Sequence, residues 1–464
     1  MTEPLRRTSV AGRGALAAVT LGSGMALLDG SVVNLALRAI GTDLDASLPQ
    51  LQWVVNGYLL SLAALILVGG SLGDRLGRRR IYLTGIVVFA VASLLCALAQ
   101  DPTQVILARV VQGVGGALLT PGALAVIQSS FAKEDRAAAI GTWAGASGVA
   151  TAIGPFLGGF LLDHFGWRSI FAINLPVAAL VLGLTLRFVP ESRDEQAAGR
   201  LDVGGAVLTV AGLGALTVGL IGVGGSRALS VGAVILGLVL MAGFAAYERR
   251  VPNALAPMSL WRNRVFTAAN LMTFLVYGAL GAVMFFLVIQ LQVSTGYSPL
   301  RSGLASLPVT LALLLLSSRF AALAERTGPR LPMTVGPLVC AGGVLLLLGV
   351  GAGTRYWTGV FPGITVFALG LATLVSPLTS AVLAAAPDRL AGTASGVNNA
   401  VARAGSLLAV AALPAVVGLS GEAYADPVAF TAGYRPACLI CAALLAAGGV
   451  VSWYGVRSVA ADRA

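Results

Sequence analysis

Fourteen apolar runs, each close to the length of a helix that crosses a hydrocarbon core of about 30 Å, dictate what this chain can fold into. They lie near 14–37, 51–72, 81–99, 103–127, 138–161, 169–188, 203–223, 229–247, 266–291, 302–323, 332–351, 358–384, 391–418 and 434–456. In lipid every backbone N–H and C=O must be bonded within the protein, so runs of this length become helices. Barrel strands need only about ten residues. Hydrophobic residues make up 57% of the chain and charged ones 11%, against about a quarter charged in a soluble domain. An all-α integral membrane protein follows.

Charge placement sets the orientation. Arg6, Arg7 and Arg13 precede a first run too long for a cleaved leader, which reads as an uncleaved span. With the N-terminus in the cytoplasm, the outer connections carry six basic residues: Arg38, Arg168, Arg227, Arg301, Arg355 and Arg435. Arg109 and Arg403 fall inside spans, which leaves twenty-two of the thirty Lys and Arg on the inner side. Such an excess favours both termini inside a cytoplasmic membrane. It also accounts for the net charge of +11 without any nucleic acid.

The chain repeats itself. Leu72-Gly-Asp74-Arg75-Leu-Gly77-Arg78-Arg79 follows span two, and Leu323-Ala-Glu325-Arg326-Thr-Gly328-Pro-Arg330 follows span ten. Asp135-Arg136 before span five is echoed by Asp388-Arg389 before span thirteen. The offsets, 251 and 253 residues, agree. Residues 1–188 and 266–464 therefore read as related six-helix halves, with 189–265 a linker carrying two additional spans. Parallel halves around a central cavity are a transporter architecture. The longest polar stretch, Pro190 to Asp202, reads as a solvated linker.

Chemistry concentrates at a few polar residues. Asp29 lies within span one, where an acid costs about 2.5–3.5 kcal/mol unless it meets a partner or a cavity. At about 1.5 Å per residue, Arg109 of span four reaches the same layer. Arg109, Gln112, Gly113 and Gly116 share one helix face. A buried pair that only holds helices together is the plainer reading, and an ion or proton pathway the sharper one. Trp53, Asn56, Gln112, Asn270, Phe274, Tyr277, Asn399 and Arg403 are candidate substrate-cavity residues, although stripes of this kind also occur as simple packing. Gly70, Asp74, Arg75, Gly77 and Arg78 form a candidate conformational lock after span two. Gly154, Pro155, Gly158 and Gly159 make span five a candidate hinge, with close helix packing as the alternative. The cysteines Cys96, Cys340, Cys438 and Cys441 read as packing residues in apolar runs, and the single histidine, His164, falls at a connection. No enzyme chemistry, cofactor or metal is expected from this set.

These motifs carry a resemblance. Gly70-x-x-Gly-Asp74-Arg75-x-Gly77-Arg78-Arg79 resembles the inner-loop signature of the major facilitator superfamily. Arg109-x-x-Gln112-Gly113-x-Gly115-Gly116-Ala117 is similar to its span-four motif, associated with proton coupling, and Gly154-Pro155-x-x-Gly158-Gly159 to its antiporter motif. Leu28-Asp29-x-Ser31-x-Val33-Asn34-x-Ala36-Leu37 and Trp167-Arg168-x-Ile170-Phe171-x-x-Asn174-x-Pro176 resemble motifs of its fourteen-span drug:proton antiporters. Ser31, Arg38 and Ala150 depart from the usual residues. The resemblance implies a monomeric proton-coupled exporter of lipophilic small molecules, with Asp29 and Arg109 in proton coupling. A dedicated exporter of one endogenous metabolite, antibiotic, siderophore or lipid is the alternative. Two intramembrane arginines against one acid disfavour dications and prefer neutral or monocationic substrates. Reporter fusions test the orientation: those after Arg7 and Arg457 should report cytoplasm, and one near Glu422 the outside. An external terminus would overturn the fourteen-span reading.

Overall fold

The computed structural model describes residues 4–193, 201–222, 226–252, 254–387, 390–419 and 426–456, with backbone alone at 151–152. Among these are fourteen helices long and apolar enough to cross a membrane. They are α1 (Val10–Asp43), α2 (Leu48–Leu76), α3 (Arg78–Leu98), α4 (Pro102–Ser130), α5 (Lys133–Phe165), α6 (Arg168–Phe188) and α7 (Val203–Ile221). After them come α8 (Arg227–Glu248), α9 (Arg264–Val293), α10 (Pro299–Thr327), α11 (Arg330–Gly349), α12 (Tyr356–Ala384), α13 (Ala391–Val416) and α14 (Pro427–Gly455).

Caps, more than hydropathy, fix where these helices begin. Asp101 and Asp426 each accept two N–H bonds from the turn that follows, with Pro102 and Pro427 at the first helical position. An acceptor before the helix and a proline that needs no N–H bond form a strong start signal. For that reason α14 starts seven residues ahead of its apolar run. The ladders of α6 and α10 break near Ile173 and Ser306, just ahead of Pro176 and Pro308, which have no N–H to donate.

Hydrogen bonds sort the connections into two faces. On the face where α1 begins, Leu5 N–H bonds Ser130 O, and Arg78 N–H bonds Ser192 O. On the far face, Trp167 Nε1 and Arg168 Nη1 both donate to Asp43 Oδ2, at 2.9 and 2.7 Å. The turn after α2 and the turn after α10 share one device: Gly77 (φ +112°) and Gly328 (φ +81°) close the helices in a conformation that side chains resist. The internal repeat of the sequence is thus repeated in backbone geometry. Its second echo, Asp388-Arg389, lies outside the described residues.

The added pair, α7 and α8, sits on the seam between the halves. Leu213 of α7 packs with Ala63 and Ala64 of α2 and with Leu407 of α13. At its base, the buried Glu248 accepts N–H bonds from Leu255 and Ala256 and folds the chain back toward α9.

The halves meet most closely on the far side. Gln292 Nε2 donates to Leu35 O at 2.9 Å, Arg38 Nη1 donates to Gln292 O, and Gln52 Nε2 donates to Val410 O and Ala411 O. Gly159 and Gly303 permit the α5–α10 contact. A Cβ at Gly159 would stand 2.5 Å from Leu300 Cα, and one at Gly303 2.3 Å from Pro155 O. Toward the opposite face the same helices part: Gly141 and Gly145 have nothing within 4 Å, and Gly148 meets only Leu314 at 3.9 Å. The structure is closed on the far side. Ser298 Oγ donates to Asp163 Oδ2 at 2.9 Å across this seam. The double variant Asp163→Cys/Ser298→Cys should therefore crosslink readily in membranes. Adding Gly159→Val should cut crosslinking several-fold, and an unchanged yield would contradict this closure.

Candidate functional site

The first half is built around Asp29. An acid within one turn of the middle of an apolar helix can stay ionised only if donors reach it from neighbouring helices. Three do. Arg109 Nη1 of α4 lies 2.5 Å from Asp29 Oδ2. Gln112 Nε2, one turn further along α4, donates to Asp29 Oδ1 at 2.9 Å, and Asn174 Nδ2 of α6 reaches the same oxygen at 3.3 Å. Asp29 is 3% exposed and Arg109 1%, so water contributes little to either charge.

The second layer completes the guanidinium. Arg109 Nε donates to Val54 O of α2 at 3.1 Å, and its Nη1 also meets Gln112 Oε1 at 2.6 Å. The Tyr58 ring lies 4.4 Å from Arg109 Cζ, a cation–π contact, with Phe171 at 5.9 Å. Ser93 Oγ of α3 accepts from both Gln112 and Asn174 and donates to Phe89 O. The network joins α1, α2, α3, α4 and α6. Sequence reading paired Asp29 with Arg109 but left out Ser93, Tyr58 and the role of Asn174. Their signal was visible only as polar residues in apolar spans, Asn174 among them within a quoted motif.

Gln112 was expected in the cavity wall, but it has no exposed surface, because its position one turn after Arg109 turns its amide onto Asp29. Asn270 is likewise fully buried: it donates to Phe266 O and accepts from Asn398 Nδ2, joining α9 to α13. Asn56 is fully buried with neither amide atom hydrogen-bonded, and no bond links it to Asp29. Trp53, Phe274, Tyr277 and Arg403 are half-buried and Asn399 exposed, its Nδ2 on Ser395 O.

The candidate lock is local. Asp74 Oδ1 accepts from Arg78 Nε and Nη2 at 2.9 and 2.7 Å, within one turn, and Gly70 packs on Pro121. Arg75 belongs to the same turn of α2. The brace from outside is Glu191, whose two oxygens accept Arg79 N–H and Arg80 N–H at the start of α3, where the helix dipole favours an anion. The start of the polar linker is therefore docked, not solvated, since three arginines at a helix start attract its acid. Along α5, Gly154 and Gly158 seat Ser31 and Val32 of α1, while Pro155 and Gly159 face α10.

Removing one partner of a buried pair strands the other charge, at about 3–5 kcal/mol. Arg109→Ala should therefore lower the thermal unfolding midpoint in detergent far more than Asp29→Asn, which keeps the shape of the side chain and one oxygen to accept from Arg109. Equal losses would show that the pair is not the organising contact.

With this geometry in place, the likenesses to known proteins are informative. The profile described as Major Facilitator Superfamily matches residues 19–410. The tetracenomycin C resistance and export protein of Streptomyces glaucescens is 36% identical, over 86% of this chain and 74% of its own. The puromycin resistance protein of Streptomyces alboniger is 35% identical, over 94% and 90%, and the multidrug resistance protein Stp of Mycobacterium tuberculosis 34%, over 89% and 77%. Among solved structures, a peptide transporter crystallised with sulfate superposes with TM-score 0.71 at 15% identity, covering 97% of each chain, which speaks for the fold alone. The chain belongs to the Major Facilitator Superfamily.

Proposed function

We propose that this chain is a proton-coupled antiporter that exports lipophilic small molecules across the cytoplasmic membrane by alternating access. Both termini face the cytoplasm in this reading, and the closed far side faces outward. The units are residues 1–188, the linker pair 189–265 and residues 266–464. One chain supplies every group of the Asp29 network, so a monomer suffices as the working unit. Export of drugs or antibiotics is carried over from the relatives, whose names include resistance and export.

The observation that carries the proton is the buried Asp29–Arg109 pair. Helix α1 holds Asp29, and nine residues on, roughly 13 Å along the axis, Arg38 bonds Gln292 of the other half. Opening the outer seam must break the contacts of Leu35 and Arg38 with Gln292, and the pull acts on the helix that carries Asp29. A shift of α1 against α4 loosens the pair and lets Asp29 take a proton from one side. Reclosure restores Arg109 to the carboxylate and expels the proton on the other side. Drug would enter the seam from the cytoplasm and leave when the outer seam opens, the state in which Asp29 takes its proton. The cavity's excess positive charge excludes dications, so the admitted compounds include neutral and monocationic ones.

Asp29→Asn fixes the uncharged state. In proteoliposomes it should abolish export driven by an imposed pH gradient, by at least about a hundredfold, while equilibrium binding of a neutral dye persists. Wild-type gradient-driven export by this variant would exclude Asp29 as the proton carrier.

A further inference from the structure

Among the described residues of the C-terminal half, one midspan charge is left without a partner. Arg403 lies twelve residues from the start of α13 and thirteen from its end, so roughly 18 Å of helix separates it from lipid headgroups on either side. An intramembrane arginine is retained where it meets a partner or a water-filled cavity. Among the described residues it makes no ion pair and no hydrogen bond, and it is half-buried. Residues 266–464 contain only five acids: Glu325 near the end of α10, Asp426 at the cap of α14, and Asp388, Glu422 and Asp462, which lie outside the described residues. The acid of the other half, Asp29, already has Arg109, Gln112 and Asn174.

The surroundings place this guanidinium in the seam. Its neighbours on α13 touch both halves: Ala404 and Leu407 pack with Ala63 and Ala64 of α2, and a Cβ at Gly405 would stand 2.4 Å from Phe274 O of α9. Ser406, nearly one turn on, ties α13 to Tyr277 O at 2.8 Å, and Phe274, half-buried, lies one turn before Tyr277 on α9. Asn399, one turn back along α13, is exposed beside it. A planar cation with free donors thus lies three residues from the bond that ties α13 to the aromatic face of α9. The Asp29–Arg109 pair sums to zero while Asp29 is ionised, so Arg403 then sets the sign of the cavity, and protonation of Asp29 leaves that sign positive.

We propose that Arg403 is a specificity-determining residue that receives the acidic group of an aromatic substrate, a carboxylate or ionised phenol, while Phe274 and Tyr277 take the ring. A guanidinium offers a fork of N–H donors that matches a carboxylate, and the attraction is stronger in a partly desolvated seam than in water. The inference deepens the exporter reading, and rests on it for calling the ligand a substrate. It also sharpens the charge preference: among admitted compounds, acids should bind better than neutral analogues, and neutral analogues better than amines.

Three probes with one ring and three charges test this: 9-anthracenecarboxylate, 9-anthracenecarboxamide and 9-(aminomethyl)anthracene, titrated by fluorescence into the full-length protein in detergent at pH 7.5. The carboxylate should bind at least about tenfold tighter than the amide, which is ~1.4 kcal/mol, and the amine should bind weakest. R403Q should bring the carboxylate-to-amide ratio close to one, while R403K should keep most of it. Equal binding of carboxylate and amide by the natural protein would overturn the proposal, as would a ratio that survives in R403Q. Binding needs no gradient, so the two readings separate. Selective binding without export in vesicles would count against the exporter alone. Export with no acid preference would count against Arg403 alone.

Discussion

A carboxylate withdrawn from water must be met by donors from several directions, and Asp29 is met from two neighbouring helices whose side chains are themselves held by two more. No single contact would suffice: the attraction of one cation recovers only part of the desolvation cost of the pair, and the remaining lone pairs need hydrogen bonds. The assembly of α1, α2, α3, α4 and α6 in the first half is therefore coupled to one side chain. Among the described residues the second half has no counterpart. There the buried polar contacts are neutral, as between Asn398, Asn270 and Thr273, and its one midspan charge is left facing the seam.

That asymmetry divides labour between two halves of common design. The first half encloses a neutralised pair out of reach of solvent, suited to a switch that works by breaking and remaking one contact. The second half presents a cation and aromatic rings where the halves meet. Helix α1 connects the two: its middle carries the carboxylate, and its far end is bonded to α9 across the seam. Movement at the seam and charge at Asp29 are thus linked through one continuous helix, which is stiff over that distance because its ladder is unbroken.

Close approach explains why the seam can be tight on one side and loose on the other. Along α5 the glycines that meet backbone or bulky side chains, Gly158 and Gly159, lie toward the far face, whereas Gly141 and Gly145 border open space. Small residues let helix backbones touch where no hydrophobic drive distinguishes protein from lipid. The same helix therefore supplies a packed end and a free end.

The spans, the charge bias and the duplication were all legible in the chain, because they follow from local rules: lipid excludes unpaired backbone, and a repeat preserves its spacing. Asp29 with Arg109 was legible too, since rise per residue puts both in one layer. The helix start at Asp426 lies seven residues ahead of its apolar run for reasons of capping that hydropathy does not register. What only the tertiary structure decided is which side chain turns toward which neighbour. Gln112 and Asn270 look like cavity residues on a helical wheel, yet each is consumed by a buried hydrogen bond to another helix. Glu191 looks like part of a solvated linker, yet it caps α3. Arg403 emerged as the uncompensated midspan charge only once Asp29 had been assigned its partners on other helices. Periodicity fixes a residue's depth and its face, but the satisfaction of a buried polar group depends on donors and acceptors that lie far away in sequence, and these meet only when the helices pack.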